Sequence, residues 1–331
     1  MRANSIYYAE MEAEITAWML AGAPDFGAMA MRVAEFQREA CAEYGRFWRT
    51  KPVPREWQEI PAVPVEVFRR VAIRSFPARE SVRTFRTSGT TGEGFGEHHF
   101  CSLALYREAA VAGWAEAGLP SERLVALLPK AEAAPHSSLS QMADWLVPPE
   151  RFFFGDWERL YGFLREFERP VLFGTALAFL DFFDWLGDRR LTLGEGSLAV
   201  ETGGYKGSRR EMSKVDLYSL FGEKLGLPGH RIWNEYGMTE LSSQFYACGA
   251  TGLHHGPPWA RVIVVEPESG REVAEGETGV VQIFDAANLG SVSAIRTGDL
   301  AIRRGDAFEL LGRDPAALPR GCSRGAEEML A

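Results

Sequence analysis

The sequence predicts an α/β fold with a largely parallel sheet, followed by a β-rich subdomain. Short apolar runs at residues 124–128, 171–173 and 198–200 are typical of buried strands. They alternate with stretches of helical periodicity, such as 157–167 and 176–186. This alternation indicates parallel strands with helices packed on the sheet.

Beyond about residue 253 the pattern changes to short strands separated by turns rich in glycine, proline and acidic residues. This part of the chain predicts the β-rich subdomain. The expected strands are 261–265, 279–284, 293–295, 301–303 and 308–310.

The start of the chain predicts two helices between residues 5 and about 48, separated by Gly22-Ala23-Pro24. A proline-rich connector covers residues 51–64, because each proline disfavours helix at the residue before it. A strand at 82–85, a glycine-rich loop and a helix at 103–117 follow. The expected organisation is a helical segment (1–60), an α/β core (61–250), a β-rich subdomain (251–313) and a C-terminal tail (314–331).

Composition excludes several classes of protein. The chain has 331 residues, 46% of them hydrophobic, which excludes a disordered or fibrous protein. Its net charge of −9 argues against general binding to nucleic acid or to anionic lipid. The four cysteines form no CxxC pair, and glutamates interrupt the first apolar stretch, so a cytoplasmic protein without a signal peptide is expected. Two aspartates break the most apolar region, 171–186, so no membrane span is expected.

The glycine-rich loop is the first candidate site. It reads Thr87-Ser88-Gly89-Thr90-Thr91-Gly92-Glu93-Gly94-Phe95-Gly96, between a predicted strand and a predicted helix. Bare backbone N–H groups and hydroxyls in such a loop could surround phosphate oxygens. It has neither a Walker Gly-Lys-Ser/Thr ending nor the GxGxxG spacing of dinucleotide-binding folds. A flexible surface loop is the alternative, but three hydroxyls at Ser88, Thr90 and Thr91 favour phosphate binding.

Two further motifs are weak when taken alone. A turn-prone stretch, 234–240, offers carboxylates that could hold Mg²⁺ against phosphate, although a turn with two surface glutamates explains it equally simply. Thr297-Gly298-Asp299 and Gly312-Arg313-Asp314 read as ordinary β-turns, and Arg313 could neutralise phosphate charge.

In this order, the motifs resemble the successive signatures of the adenylate-forming superfamily, which includes acyl-CoA ligases and luciferases. The motifs are Thr87–Gly92, Gly203-Gly204, Tyr236-Gly237-Met238-Thr239-Glu240, Thr297-Gly298-Asp299 and Gly312-Arg313-Asp314. The resemblance implies the large N-terminal-type domain of these enzymes. The stretch from Cys248 to Asp299 also resembles phenylacetate–CoA ligases.

Two departures refine the resemblance. Few residues follow Gly312-Arg313-Asp314, so the small C-terminal domain of the superfamily is expected to be absent, and with no lysine after Lys224 its catalytic lysine cannot be supplied. The tail Leu318-Pro319-Arg320-Gly321-Cys322-Ser323 is similar to the ending of LuxE-type acyl-protein synthetases, in which a cysteine accepts the acyl group. Arginines at 320 and 324 would favour the reactive thiolate. A small buried apolar role for this cysteine is the alternative.

The resemblance implies the following site. ATP and Mg²⁺ are the expected cofactors, with Thr87, Ser88, Gly89, Thr90, Thr91 and Gly92 around the β- and γ-phosphates, Glu240 on the metal and Thr239 at the α-phosphate. Gly204 and Tyr236 would hold adenine, Asp299 the ribose, and Arg313 the ribose or phosphate, with Gly203 and Gly237 as further cofactor-binding residues. Cys322 would accept the acyl group, and Lys206 could replace the missing lysine. The substrate would be a carboxylic acid, with a fatty acid expected, and the partner an acyl-CoA-reductase-like protein.

Several alternatives stay open. His98 and His99 could face the acyl or phosphate site, or could mark a solvated helix start, and His136 could line an acyl pocket or lie in a loop without function. Cys248, His254 and His255 offer only three ligands of the four that structural zinc requires, so structural polar roles are favoured. An acyl-CoA or acyl-carrier ligase, or a non-catalytic scaffold subunit, are the alternative functions.

Overall fold

The computed structural model describes residues 2–87, 95–203, 212–313 and 322–330. In these ranges the helices are α1 Arg2–Leu20, α2 Phe26–Ala40, α3 Ala42–Arg49, α4 Ala104–Glu116, α5 Ser138–Leu146, α6 Trp157–Glu166, α7 Ala176–Leu186, α8 Lys214–Leu225 and α9 Cys322–Leu330. The strands are β1 Val63–Pro64, β2 Arg83–Arg86, β3 Glu97–Phe100, β4 Leu124–Leu127, β5 Val171–Thr175, β6 Leu198–Thr202, β7 Ile232–Tyr236, β8 Phe245–Cys248, β9 Ala260–Val265, β10 Thr278–Asp285, β11 Ala294–Arg304 and β12 Ala307–Arg313.

The chain divides into two compact units. The first comprises Met1–Ala110, Met238–Ser243 and His255–Ala331, and the second comprises Val111–Gly237 and Gln244–His254. Residues 61–110, which the sequence pattern placed with the α/β core, therefore belong to the unit that holds the β-rich sheet. A division of the sequence into consecutive segments cannot show this grouping, because the first unit is built from three separate ranges of the chain.

The second unit is the predicted α/β core. Its sheet has the order β4-β5-β6-β7-β8, with β4 to β7 parallel and β8 antiparallel to β7. Residues on one sheet face, including Leu172, Ala199 and Ile232, join a buried cluster with Phe179 of α7 and Phe221 of α8. The alternation of apolar runs and helical stretches thus predicted this unit correctly.

The first unit contains a sheet of order β1-β11-β10-β9, with β12 also paired to β11. The predicted strands 293–295 and 301–303 are one strand, β11, so the predicted turn at Thr297-Gly298-Asp299 is wrong. Leu300 pairs with Val280 and Arg296 with Gln282, which leaves residues 297–299 opposite Val281 alone. The motif is a bulge inside a continuous strand, and a bulge has the same glycine signal as a turn.

The helical N-terminus has three helices where the sequence predicted two. Cys41 separates α2 from α3 with an extended backbone, φ −102° and ψ 106°. Its Sγ accepts a hydrogen bond from the Tyr44 amide at 3.5 Å and caps α3. Apolar spacing continues across the break, so periodicity alone did not reveal it.

Two further elements differ from expectation. The glycine-rich segment lies between the antiparallel strands β2 and β3, not between a strand and a helix. The predicted tail contains helix α9, which packs against α3. Arg46 Nε donates to the Met329 carbonyl at 2.6 Å, and Lys51 pairs with Glu328 at 2.7 Å. In the part of the chain that the structure describes, no helix combines the length and the apolar character needed to cross a membrane.

Candidate functional site

The base of the glycine-rich loop is closed by Thr87 and Gly96. The Thr87 amide donates to the Gly96 carbonyl at 3.0 Å, and the Gly96 amide donates to Thr87 Oγ1 at 2.9 Å. The hydroxyl hydrogen of Thr87 is not used in these bonds, so it can donate to a ligand. Between them, residues 88–94 lie outside the described residues, including the predicted phosphate contacts Ser88, Gly89, Thr90, Thr91 and Gly92.

The carboxylate of Glu240 lies at this same base. A Cβ placed on Gly96 would be 3.3 Å from Glu240 Oε1 and 3.3 Å from Thr87 Oγ1. Glu240 is 4% exposed. The two predicted oxygen ligands therefore border one glycine, and Mg²⁺ prefers hard oxygen ligands of this kind. The donor set fits a magnesium–phosphate group, and a side chain at residue 96 would crowd it.

Buried side chains from the end of β10 and from the loop after it hold the segment that carries Glu240. Asn288 Nδ2 donates to the Glu240 carbonyl at 2.8 Å. Asp285 accepts the amides of Ser242 and Ser243 at 2.9 and 2.8 Å, and also the Ser243 hydroxyl at 2.7 Å. Burial raises the pKa of Asp285, and these donors oppose the shift.

Helix α2 anchors that loop in turn through Gln37, which is fully buried. Its Nε2 donates to the Asn288 carbonyl at 2.7 Å, and its Oε1 accepts the Ser293 amide at 2.8 Å. Sequence analysis missed Gln37, Asp285 and Asn288. The available signal was a glutamine on the apolar face of α2, beside the buried Val33 and Phe36.

His98 supports Thr239, the residue expected at the α-phosphate. His98 Nδ1 lies 2.8 Å from the Thr239 carbonyl oxygen, which can only accept, so Nδ1 carries the hydrogen. Full burial lowers the pKa of His98 to about 4. His99 is also buried, with Nδ1 3.0 Å from Thr84 Oγ1. The alternative of a solvated helix start is wrong for both, because they lie on strand β3.

Asp299 and Arg313, the predicted ribose and phosphate contacts, are neighbours. They are register partners on β11 and β12, and Arg313 Nε donates to Asp299 Oδ1 at 2.9 Å. Asp299 is 7% exposed, whereas Arg313 is exposed at its end of the strand. Their roles stay predictions, but the structure places them side by side.

The predicted adenine contacts belong to the second unit, at the carboxyl ends of β6 and β7. Thr202 and Glu235 are register partners there, and Gly203 and Tyr236 follow them directly. The Tyr236 ring lies 5.9 Å from that of His254, edge to face. The carboxyl edge of a parallel sheet is the usual position of a ligand site. Gly204 and Lys206 lie outside the described residues.

A buried polar cluster that sequence analysis missed lies beside Tyr236. Asn234 Nδ2 donates to Glu201 Oε1 at 2.7 Å, and Asn234 Oδ1 accepts from Lys214 Nζ at 2.8 Å. His254 Nε2 lies 2.7 Å from the same Asn234 oxygen. Burial raises the pKa of Glu201 and lowers that of Lys214, while their mutual attraction opposes both shifts. No motif marked Lys214.

The remaining candidates are His136, Cys248 and Cys322. His136 is exposed in the turn before α5. Cys248 is exposed and contacts the His230 carbonyl at 3.2 Å. Across the described ranges, no group of three His, Cys, Asp or Glu residues could hold a metal ion. Cys322 begins α9, but its side chain lies outside the described part of the chain, so its role stays a prediction.

Comparison with known proteins bears on the fold. No protein-family model and no curated protein sequence matches the chain. Among solved structures, 2-hydroxyisobutyryl-CoA ligase in an open conformation with 2-HIB-AMP and CoA matches with TM-score 0.64 and 14% identity, over 86% of this chain and 73% of that one.

Two further structures cover 72% of this chain at 16% identity and TM-score 0.52. They are an ATP-bound RpMatB-BxBclM chimera and McyG A-PCP with phenylalanyl-adenylate. The chain spans about half the length of these two, 49% and 48%. It therefore has the domain fold of the adenylate-forming enzymes, as predicted.

Proposed function

We propose that the protein activates a carboxylic acid with ATP. The carboxylate oxygen attacks the α-phosphorus, the bond from that phosphorus to the bridging oxygen of the β-phosphate breaks, and acyl-AMP and pyrophosphate form. The observation that carries the proposal is the meeting of Glu240 and Thr87 at Gly96, at the base of the hydroxyl-rich loop. The shared fold with ligases bound to ATP or to adenylates adds support.

The residues of the first unit would act by position and charge. Thr87 would donate its free hydroxyl hydrogen to a phosphate oxygen, together with Ser88, Thr90 and Thr91. Glu240 would hold Mg²⁺, which when bound neutralises charge on the phosphates. Thr239, held through its carbonyl by His98, would contact the α-phosphate. Neutral His98 adds no charge at this point, because its pKa is about 4.

The base and the sugar of ATP would be held by residues predicted from the motifs. Asp299, positioned by Arg313, would accept hydrogen bonds from the ribose hydroxyls. Gly204 and Tyr236 would hold adenine. Lys206 would supply the positive charge that a C-terminal lysine supplies in the superfamily.

The second half of the proposal is transfer to sulfur. The Cys322 thiolate attacks the acyl carbonyl carbon, the bond to the AMP oxygen breaks, and a protein thioester and AMP result. Cys322 begins α9, and a helix N-terminus stabilises a thiolate. An acyl-CoA-reductase-like partner in the cytoplasm would then take the acyl group.

Acid-dependent ATP–pyrophosphate exchange tests the first step. We expect exchange with at least one acid of a panel, reduced at least a hundredfold in Glu240→Gln. The control is Glu195→Gln, because the Glu195 side chain is exposed. Silence with every acid would contradict the proposal and favour a scaffold subunit.

Labelling separates the acceptors. With ATP and radioactive acid, we expect protein-bound label that hydroxylamine releases and that Cys322→Ser abolishes. Cys248→Ser is the matched control, because Cys248 is an exposed thiol that should not matter. Label on coenzyme A alone would favour an acyl-CoA ligase, and protein-bound label that remains in Cys322→Ser would show that Cys322 is not the acceptor.

A further inference from the structure

A second polar cradle lies at the carboxyl edge of the parallel sheet, around Gly237. A Cβ placed on Gly237 would be 3.5 Å from both Glu235 Cδ and Gln244 Cγ, and it would overlap Glu235 Oε1. Glu235 and Gln244 are each 5% exposed. Two buried polar side chains from different segments, the end of β7 and the residue before β8, therefore converge on one glycine.

This cradle lies on the opposite sheet face from the Glu201 cluster. Glu201 and Asn234 contact side chains of α8, namely Tyr218 and Lys214. Because successive residues of a strand point to opposite faces, Thr202 and Glu235 point away from α8. Glu235 and Thr202 are also register partners; the Thr202 hydroxyl donates to the Gly203 carbonyl at 3.3 Å, and its nearness opposes the rise in the pKa of Glu235.

Two acceptor groups belong to this cradle, the Glu235 carboxyl and the Gln244 amide oxygen. Gln244 Oε1 is buried and has no hydrogen-bond partner among the residues that the structure describes. Glu235 has the Thr202 hydroxyl nearby, while Glu201 adds negative charge. Burial raises the pKa of Glu235 to about 7, which shows how incompletely these surroundings compensate its charge. Buried acceptors without donors are costly in a folded protein.

We propose that Glu235, Gln244 and Thr202 form a subsite for a nitrogen hydrogen-bond donor, an amino or ammonium group carried by the acid substrate. A group of this kind would donate to the carboxylate and to the amide oxygen together. A plain fatty acid has no such donor. The inference rests on the proposed function only in taking the ligand to be the acid that is activated.

The alternation of side chains along β7 favours the acid over adenine as the source of this nitrogen. Tyr236, the predicted adenine contact, shares the face of Asn234 and packs on His254. Glu235 points to the other face. A base stacked on Tyr236 would therefore lie away from the cradle.

The test uses matched acids in the exchange assay. The pairs are L-phenylalanine with 3-phenylpropanoate, and 6-aminohexanoate with hexanoate, alongside decanoate. For at least one pair we expect the amino member to have a kcat/KM at least tenfold higher, and we expect Glu235→Gln and Gln244→Leu each to reduce that ratio at least fivefold. Glu195→Gln, which changes an exposed carboxyl of the same unit, should leave the ratio unchanged.

A ratio near one, a preference for decanoate, or a preference that survives both substitutions would overturn the inference. Replacing ATP by purine riboside triphosphate, which lacks the 6-amino group, tests the other source. If Glu235→Gln removes discrimination between these nucleotides and not between the acids, the assignment to the acid is wrong.

Calorimetric titration of the intact protein with the same acids, without ATP, separates the two proposals. Binding of an amino member that depends on Glu235, with no exchange, would contradict the proposed function and leave this subsite standing. Exchange that does not depend on the amino group would support the proposed function and contradict this subsite. Thermal unfolding of each variant shows that the protein is folded.

Discussion

Glu240 Oε1 lies against the α-carbon of Gly96, so that a Cβ at residue 96 would approach it to 3.3 Å. Thr87 Oγ1 would be equally close to that atom. The loop base and the carboxylate are thus packed around the hydrogen of one glycine. Gly96 does not have a positive φ, so its backbone could accept another residue. Glycine is needed at this position because a Cβ would crowd Glu240 and Thr87.

Gly96→Ala should push Glu240 and Thr87 apart. We expect a stability loss of about 1–3 kcal/mol, as for other overpacked sites, and a rise of at least tenfold in the KM for ATP in the exchange assay. Gly194→Ala is the control, because no atom lies within 4 Å of its added Cβ and its φ is not positive. An unchanged KM in Gly96→Ala would show that the loop base does not contact nucleotide.

Asn288 should set the position of Glu240 through the backbone. Asn288→Ala removes the 2.8 Å bond to the Glu240 carbonyl, and we expect the Mg²⁺ concentration for half-maximal exchange to rise at least fivefold. Ser75→Ala is the control, because Ser75 is buried and donates to the Leu289 carbonyl of the same loop at 2.7 Å without touching Glu240.

Asn288→Ala should lose about 1–3 kcal/mol of stability, since it removes the donor to the Glu240 and Val292 carbonyls. Ser75→Ala should lose less, because Gln37 Nε2 still donates to the Leu289 carbonyl at 3.2 Å. Only Asn288→Ala should change the Mg²⁺ dependence. Equal changes in the two variants would mean that Asn288 has a purely structural role.

Glu235 should make stability depend on pH in a defined window. Its pKa is near 4.5 in the unfolded chain and about 7 in the folded protein, because of burial, with Glu201 adding to the rise and Thr202 opposing it. Between these values the folded state holds a proton that the unfolded state has lost. The contribution of Glu235 to the unfolding free energy therefore decreases as pH rises from 4.5 to 7.

Glu235→Gln has no charge to bury at any pH. Relative to the unmodified protein, its unfolding free energy should rise across this window by up to about 3 kcal/mol, and it should level off above pH 7. Urea unfolding at several pH values measures the difference, in which other titrating groups such as Lys214 cancel. A difference that is flat from pH 4.5 to 7 would contradict the raised pKa.

The sequence predicted those parts of the fold in which local pattern and tertiary structure agree. The alternation of buried strands with helices such as Ala176–Leu186 was sufficient for the second unit. Thr297-Gly298-Asp299 was misread as a turn, because a bulge and a turn both favour glycine, and only the pairing with Val281 distinguishes them. Strand β3 was missed because His98 and His99 are polar types in a fully buried setting.

In the candidate site, the sequence predicted only the residues that belong to recognisable motifs. Glu240 and Thr87 were found through ordered motifs, and the structure brings them together. Gln37 and Asn288 were not found, because their hydrogen bonds join positions about 250 residues apart, for which a single sequence carries no signal. Gln244 was missed although it lies close to Gly237 in the chain, because none of the motifs includes it.

Helix α9 should depend on one buried side chain for its docking. Met329 is fully buried, whereas its neighbour Leu330 is 64% exposed. Met329→Ala should cost about 2–5 kcal/mol of docking free energy, which is large for a nine-residue helix tied otherwise by Arg46 and the Lys51–Glu328 pair. Hydrogen exchange of the amides of residues 322–330 should accelerate at least tenfold in Met329→Ala. In Leu330→Ala it should change little, because that side chain buries little surface. Equal protection in the two variants would show that α9 is held by its polar contacts to α3 and not by burial of Met329.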